Sequence, residues 1–183
     1  MAVLIAVGAG FAGWLVAPRP PADDWAEAGF ARDMRRHHQQ GVELSFVILA
    51  KTDDPLIAGL ATDIIGTQQS QAGQMLGWLD AWGLPVTGQA STMAWMGHPA
   101  GQPMPGLATP EEIAHLKDLS GQAADAEFLR LMIRHHQGGT PMAEAILERT
   151  DRELVERLAR SIIESQQAEV EFMEGLLERM GVA

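Results

Sequence analysis

The sequence predicts an all-α protein, a four-helix bundle made of two duplicated helical hairpins. Apolar residues recur at helical spacing in four long segments, and no stretch shows the sustained alternation of apolar and polar residues typical of strands. A repeat is the second observation. Each of the following residues recurs 98 residues later: Phe30, Met34, His37 and Gly41, as Phe128, Met132, His135 and Gly139. The spacing also holds from Ile64 to Ile162 and from Met75 to Met173, so the repeated unit is two helices long.

Size and composition limit the class of protein. The 183 residues, 46% of them hydrophobic, are enough for one domain with a full core or for two small fused units. Because the chain has no Cys, disulfides, zinc-thiolate sites and cysteine nucleophiles are excluded. The net charge of −11, with no concentration of Lys and Arg on one face, argues against nucleic acid as a partner.

The first 17 residues carry no charge, and a Pro-rich spacer over residues 18–23 follows them. We expect an N-terminal apolar helix of roughly 25 Å, a little shorter than the hydrocarbon core of a bilayer. This segment is predicted to be a membrane anchor or a signal segment, with a helix packed in the core as the alternative. We therefore expect an extracytoplasmic protein, either anchored to the membrane or secreted.

The first repeat is predicted over residues 24–83. Its first helix runs from about Asp24 to Ala50, where Thr52-Asp-Asp-Pro55 interrupts the helical pattern. Asp54 is a candidate N-cap and Pro55 suits the first turn of the second helix, which we expect to end near Trp82.

A connector over residues 84–124 and a second repeat over residues 125–181 complete the predicted domain, residues 24–183. The connector is rich in Gly, Pro, Ser and Met, and Thr109-Pro-Glu-Glu112 predicts a short capped helix over about 110–120. The third helix is expected over about 125–149 and the fourth from Glu153 to about Met180, closed by Gly181.

Two pairs of adjacent histidines interrupt the apolar faces of the first and third helices. Neighbouring residues point about 100° apart on a helix, so one ring of each pair is expected to face the core while the other borders it. Met34 and Met132 precede the two pairs by three residues, and Asp33 is placed to orient His37. Imidazole and thioether without thiolate suit Cu(I) or Ag(I), whereas imidazole alone would take Cu(II), Zn or Ni.

The second and fourth helices offer polar partners, and the connector offers more sulfur. Gln68 and Gln166 interrupt apolar faces, which makes a hydrogen bond between imidazole and amide plausible. Met93, Met96, His98 and Met104 form a second soft cluster on a segment expected to be flexible. The candidate metal ligands are His37, His38, Met34, His135, His136, Met132, Met142, Met173, His98 and Met96.

Other interpretations stay open. The His pairs can be a buried polar seam in a structural or interaction module, with the methionines filling the core. A di-iron oxidoreductase is a further alternative, but Glu112-Ile-Ala-His115 occurs once, and no Glu lies three residues before either His pair. No nucleophile motif and no phosphate-binding loop occur, so we predict no catalytic residue and consider an enzyme less well supported.

With Met132, His135, His136 and Met142 in one segment and Gln-Gln pairs in the partner helices, the chain resembles the bacterial family called domain of unknown function 305 over about residues 26–181. The resemblance implies a ferritin-like fold, often duplicated. Some relatives are exported proteins linked to copper binding and copper resistance, so it also implies a metal-binding or metal-buffering role.

The two repeats depart from this pattern to different degrees. Pro141 lies just after the second His pair and is expected to kink the helix. Leu44 stands where the second repeat has Met142, and Gln71 where it has Glu169. The second repeat therefore keeps one more thioether and one more carboxylate, and it is the preferred ligand site.

The sequence predicts an extracytoplasmic protein that sequesters or hands over copper through His and Met side chains. The expected partners are the metal ion and the membrane through the N-terminal segment, and a second copy of the chain is a further candidate. The metal, its stoichiometry and the oligomeric state stay open at this point.

Overall fold

The computed structural model describes residues 19–182 of the chain. This range contains five α helices and one turn of 3-10 helix. The helices are α1 (Ala26–Leu49), α2 (Pro55–Ala81), α3 (Pro110–Asp118), α4 (Gly121–Leu147) and α5 (Glu153–Met180), and the 3-10 helix is Ala94–Met96. No strand occurs within this range, so the all-α prediction is confirmed there. The predicted N-terminal helix, residues 1–17, lies outside the described residues. None of the helices of residues 19–182 has the length and hydropathy to cross a membrane.

The helices begin where the capping signals place them. The Asp54 carboxylate accepts a hydrogen bond from the Leu56 amide at 2.8 Å, with Pro55 at the first helical position. Thr109 and Glu112 form a capping box at the start of α3, each side chain bonding the other residue's backbone amide. The starts of these two helices therefore follow from the capping residues in the sequence.

Helix α4 differs most from expectation, because it begins at Gly121 rather than near Asp125. The intervening Ala123 and Ala124 are strong helix formers, and Ala124 is buried, which favours the earlier start. The helix also continues through Pro141 to Leu147 without interruption. Just before the proline, the Thr140 hydroxyl donates to the carbonyl of His136 at 3.1 Å.

The helices pack as two pairs, α1 with α2 and α4 with α5, and the pairs meet where α1 packs on α4. Two apolar clusters fill the core. The Phe30 cluster has as its larger members Phe30, Met34, Met75, Leu79, Met93, Met104, Met142, Ile146, Leu158 and Ile162. The Phe128 cluster has Leu44, Ile48, Leu60, Ile64, Phe128, Leu129, Met132, Met173 and Leu176. Along the chain, α1 passes from the Phe30 cluster to the Phe128 cluster and α4 passes the other way, so these two helices are antiparallel.

The connector, expected from its composition to be flexible, is fastened to α1 and α4. The Gln40 side chain bonds the backbone of Ala108 twice, accepting from its amide at 2.6 Å and donating to its carbonyl at 2.9 Å. Gly106 has φ +80° and lies with its Cα against Gly138 of α4. Only a glycine at position 138 permits this approach, since a Cβ there would lie 2.4 Å from the Pro105 carbonyl oxygen.

We predict that Gly138→Ala destabilises the protein by about 1–3 kcal/mol, because the added methyl meets backbone atoms that cannot yield without moving the connector. The control is Gly175→Ala in α5, where an added Cβ meets nothing within 4 Å. That change should be neutral or stabilising by up to about 1 kcal/mol, as expected from helix propensity. Urea unfolding of both variants measures the difference, and equal stabilities would contradict the docked connector.

Candidate metal centre

The four histidines lie between the two apolar clusters, His37 and His38 on α1 and His135 and His136 on α4. Each residue is 0% exposed. The rings of His37 and His135 come from different repeats and lie face against face, with centroids 3.9 Å apart and planes 35° from parallel. Within each pair the ring centroids are 6.4 Å and 5.8 Å apart. The four imidazoles therefore form one buried layer, and the expectation that one ring of each pair only borders the core is wrong.

Two glycines make the close packing of this layer possible. A Cβ on Gly41 would lie 2.3 Å from Gln68 Oε1 and 3.0 Å from the His135 ring. A Cβ on Gly139 would lie 2.9 Å from Gln166 Oε1 and 3.1 Å from the His37 ring. The room left by the missing side chain at each glycine is thus filled by an imidazole of the other repeat and by a glutamine amide.

The inner rings, those of His37 and His135, are bonded to backbone carbonyls. Nε2 of His135 lies 2.9 Å from the carbonyl oxygen of His37, which links α4 directly to α1. Nε2 of His37 lies 3.3 Å from the carbonyl oxygen of Pro105 in the connector. The connector therefore takes part in the layer as well as covering it.

The outer rings, those of His38 and His136, are bonded to side chains of the partner helices. Nε2 of His38 lies 2.7 Å from Gln71 Oε1 on α2. Nε2 of His136 forms an ion-pair-type contact with the carboxylate of Glu169 on α5. The two contacts occupy equivalent places in the repeats, but one acceptor is neutral and the other is a carboxyl group.

Eight buried polar atoms of the layer have no hydrogen-bond partner among residues 19–182. They are the Nδ1 atoms of His37, His38, His135 and His136 and both amide atoms of Gln68 and Gln166. Buried polar atoms in folded proteins are nearly always satisfied by protein, water or an ion. The layer is therefore chemically able to hold a polar or cationic guest.

His37, His38 and His135 are uncharged near neutral pH. Burial lowers the pKa of His37 to about 4 and that of His38 to about 3, and the neighbouring imidazoles act in the same direction. Burial also lowers the pKa of His135 well below its usual value, with His37 adding to the effect. A neutral imidazole keeps one nitrogen lone pair, which is the form that binds metals.

Methionine side chains lie on both sides of the layer. Of the predicted ligands, Met34 and Met142 are in the Phe30 cluster, while Met132 and Met173 are in the Phe128 cluster, and all four are fully buried. These four predicted soft ligands are therefore part of the core, two in each apolar cluster.

The Met and His residues of the connector, predicted to form a second soft cluster, are divided between the core and the connector surface. Met93 and Met104 are buried in the Phe30 cluster with the helical methionines, and half-buried Met96 packs against it. His98 is half-buried on the connector, with Nδ1 3.3 Å from the carbonyl oxygen of Pro99. The sulfur atoms of the connector thus join the core, and the layer is built without His98.

Asp33 does not orient His37 as expected. One oxygen of its carboxylate accepts from the backbone amide of Met93 at 2.7 Å and from the indole Nε1 of Trp95 at 3.0 Å. Burial raises the pKa of this carboxyl group. Asp33 therefore anchors the connector, at the point where Met93 adopts a left-handed conformation with φ 59°.

Gln71 and Glu169 contact the outer histidines, and the sequence does not predict these contacts. It predicts residues 71 and 169 only as a difference between the repeats, and it favours Gln68 and Gln166 as the partners of imidazole. Their position in the sequence could have indicated these contacts. Gln71 and Glu169 each lie three residues, or nearly one helical turn, after the favoured glutamine and so on a similar face of the helix. Within residues 19–182, no three side chains of His, Asp or Glu are grouped so as to hold a metal ion.

The chain matches the family described as Domain of unknown function (DUF305) over residues 27–177, and it belongs to that family. A presumed secreted DUF305 protein from Streptomyces coelicolor has a similar structure, with 46% identity and a TM-score of 0.83 over 87% of this chain and 96% of the other. A DUF305 fragment from Deinococcus radiodurans is 35% identical, with a TM-score of 0.73 over 88% of this chain and 99% of the fragment.

A third similar structure is CopM in its Cu(I)-bound form. It is 29% identical to this chain, with a TM-score of 0.68 over 85% of this chain and 98% of CopM. CopM structures also exist in Cu(II)-bound and Ag-bound forms. No curated protein sequence matches the chain.

In the metal-free protein, we predict that the free energy of unfolding falls as the pH is lowered from 7 to 5. His37, His38 and His135 have a pKa below the unfolded value of about 6.5, so the unfolded chain binds more protons in this window. The stability they contribute is complete above the unfolded pKa and is lost as the pH falls towards the folded pKa.

Each such histidine adds a slope of up to about 1.4 kcal/mol per pH unit. Urea unfolding in the presence of a chelator, at several pH values, measures the slope. His115→Gln is the control, because His115 is exposed on α3 and its loss should leave the slope unchanged. A stability that does not vary between pH 7 and 5 would contradict burial of neutral imidazoles.

Proposed function

We propose that this protein binds copper as Cu(I), and Ag(I) in the same way, through the buried His and Met side chains, and that it sequesters the metal or hands it over without a catalytic step. One observation carries the proposal: four imidazoles are fully buried in the core, their Nδ1 atoms have no hydrogen-bond partner among residues 19–182, and buried methionines belong to the apolar clusters on either side. Imidazole and thioether are a donor set suited to Cu(I). CopM, a similar protein with Cu(I)-bound and Ag-bound forms, supports the same chemistry.

The proposed ligands are taken from both repeats, with the second repeat as the stronger site. They are Met34, His37 and His38 in the first repeat, Met132, His135, His136, Met142 and Met173 in the second, and Met96 and His98 as further candidates on the connector. The second repeat has Met142 where the first has Leu44, so it can offer one more sulfur atom to a soft ion.

The proposed architecture is a ferritin-like bundle produced by duplication, over residues 24–183, preceded by an anchor or signal segment (1–17) and a spacer (18–23). Contacts at matching positions of the two repeats support it. Gly41 lies against Gln68 and His135, and Gly139 lies against Gln166 and His37. An extracytoplasmic location is supported by the uncharged first 17 residues and by the presumed secreted relative. Membrane anchoring and self-association stay predictions.

A structural module is the second candidate, and a specific observation favours it. The Nε2 atoms of His37 and His135 bond backbone carbonyls, so these rings tie α1, α4 and the connector together even without metal. In that case ordered water would satisfy the unpartnered atoms. The di-iron alternative has less support, because the Glu112 carboxylate is paired with Arg134.

We predict that the full chain competes with a chromophoric chelator for Cu(I), and that His135→Gln/His136→Gln weakens the affinity by roughly ten-fold or more through the loss of two ligands. We choose glutamine rather than alanine as the substitute for histidine because glutamine leaves no large cavity in the core. His37→Gln/His38→Gln should weaken binding less, since the first repeat has fewer ligands.

His115→Gln is the matched control, an exposed histidine outside the layer, and it should bind like the parent. Circular dichroism and urea unfolding show whether each variant folds. If the folded parent does not compete for Cu(I), the copper proposal is wrong and the structural module is favoured. Metal analysis of protein purified from copper-supplemented cells provides a second readout.

A further inference from the structure

Hydrogen bonds of the inner histidines fix where their protons lie. A carbonyl oxygen can only accept a hydrogen bond, so the ring nitrogen that faces it must carry the hydrogen. Nε2 of His135 faces the carbonyl of His37, and Nε2 of His37 faces the carbonyl of Pro105. A neutral imidazole has one N–H, so in both rings the lone pair is on Nδ1.

The outer histidines follow the same rule through side chains. Nε2 of His136 faces the carboxylate of Glu169, and Nε2 of His38 faces the amide oxygen of Gln71. Both groups accept, so the outer rings also carry hydrogen on Nε2. Four rings on two helices thus share one tautomer, although their acceptors belong to four different residues.

The four Nδ1 atoms are alike in a second respect. Each is buried, and none has a hydrogen-bond partner among residues 19–182. A lone pair in the core is satisfied by a donor or by a cation. Metal-bound histidines commonly donate their other N–H to a carbonyl or carboxylate, which fixes the ring and strengthens it as a ligand. All four rings of this layer already have that arrangement.

We infer that the fold holds all four histidines as Nε2–H tautomers that each offer Nδ1 as a metal-binding atom, with no more than two rings sharing one ion, and that Gln71 and Glu169 are the positioning residues of His38 and His136. The inference rests on the proposed copper function and names the ligating atoms within it. Neither positioning residue binds the metal. Each acts through its histidine by holding the ring and its proton in place.

The difference between the two positioning residues makes the repeats unequal. A carboxylate draws the Nε2 proton more strongly than an amide oxygen does and leaves more electron density on Nδ1. His136 is therefore the better donor of the outer pair. This ranking depends on residues 71 and 169 and not on the difference in methionine content.

Heteronuclear NMR of the imidazole nitrogens tests the tautomers directly in the metal-free full chain with isotope-labelled histidine. Protonated and unprotonated ring nitrogens have well-separated resonances, so the expected result is a protonated Nε2 and an unprotonated Nδ1 for His37, His38, His135 and His136. A protonated Nδ1 on any of these four rings in the folded parent would overturn the inference for that ring.

Silver then tests the ligating atom, because silver nuclei are magnetic and split the resonance of a nitrogen bound to them. Splitting at Nδ1 supports the inference. Silver that binds with splitting at Nε2, or without any splitting, would overturn the inference while the proposed function stands. If silver and Cu(I) both fail to bind although the tautomers are as stated, the proposed function fails, and the ligand assignment fails with it.

Exchanging the positioning residues supplies matched variants. Glu169→Gln copies the first repeat, keeps an acceptor for His136 and should weaken silver binding at that ring roughly ten-fold. Gln71→Glu copies the second repeat and should strengthen binding at His38. In Glu169→Leu no acceptor remains, so a protonated Nδ1 should appear on His136 before any metal is added. If Glu169→Leu leaves that tautomer unchanged in a folded protein, Glu169 does not position the ring.

Discussion

Burial of four imidazoles in the middle of an apolar core is the constraint on which the rest of the structure depends. Taking a polar group out of water without a partner costs several kcal/mol by typical estimates of about 2–7. One nitrogen of each ring is satisfied by a protein acceptor, two of them backbone carbonyls. The glycines at positions 41 and 139, the antiparallel packing of α1 and α4 and the position of the connector all serve this arrangement. The second nitrogen of each ring has no hydrogen-bond partner among residues 19–182 and is available to a guest.

Local features of the chain made much of the fold predictable. The helices, their caps at Asp54 and Thr109, the connector and the inward position of one ring of each His pair followed from periodicity, capping chemistry and the repeat. Periodicity and capping are signals between residues a few positions apart, and the repeat shows that the same pattern occurs twice. The expected start of α4, near Asp125, was about one turn too late. Ala-rich residues extend the helix to Gly121 without a strong capping signal.

Contacts between distant segments could not be predicted in the same way. Which residue of α2 meets His38 depends on how far that helix is rotated about its axis, and Gln68 and Gln71 lie close enough on one face to compete. Asp33 looked like a partner of His37 because both are on α1, whereas its actual partners are about 60 residues away in the connector. Spacing along one helix identifies neighbours on that helix and carries no information about what a loop brings to it.

The backbone of residues 105 and 106 has a consequence for the rate at which an ion could enter or leave the histidine layer. The Pro105 carbonyl accepts from His37, and Gly106 rests against Gly138 on α4, so this stretch of the connector closes one side of the histidine layer. Gln40 holds its end at Ala108. On that side, an ion bound in the layer would enter or leave only after residues 105–108 detach. Residence time would then be governed by transient detachment of a loop, a local opening equilibrium that can be tuned without altering a single ligand.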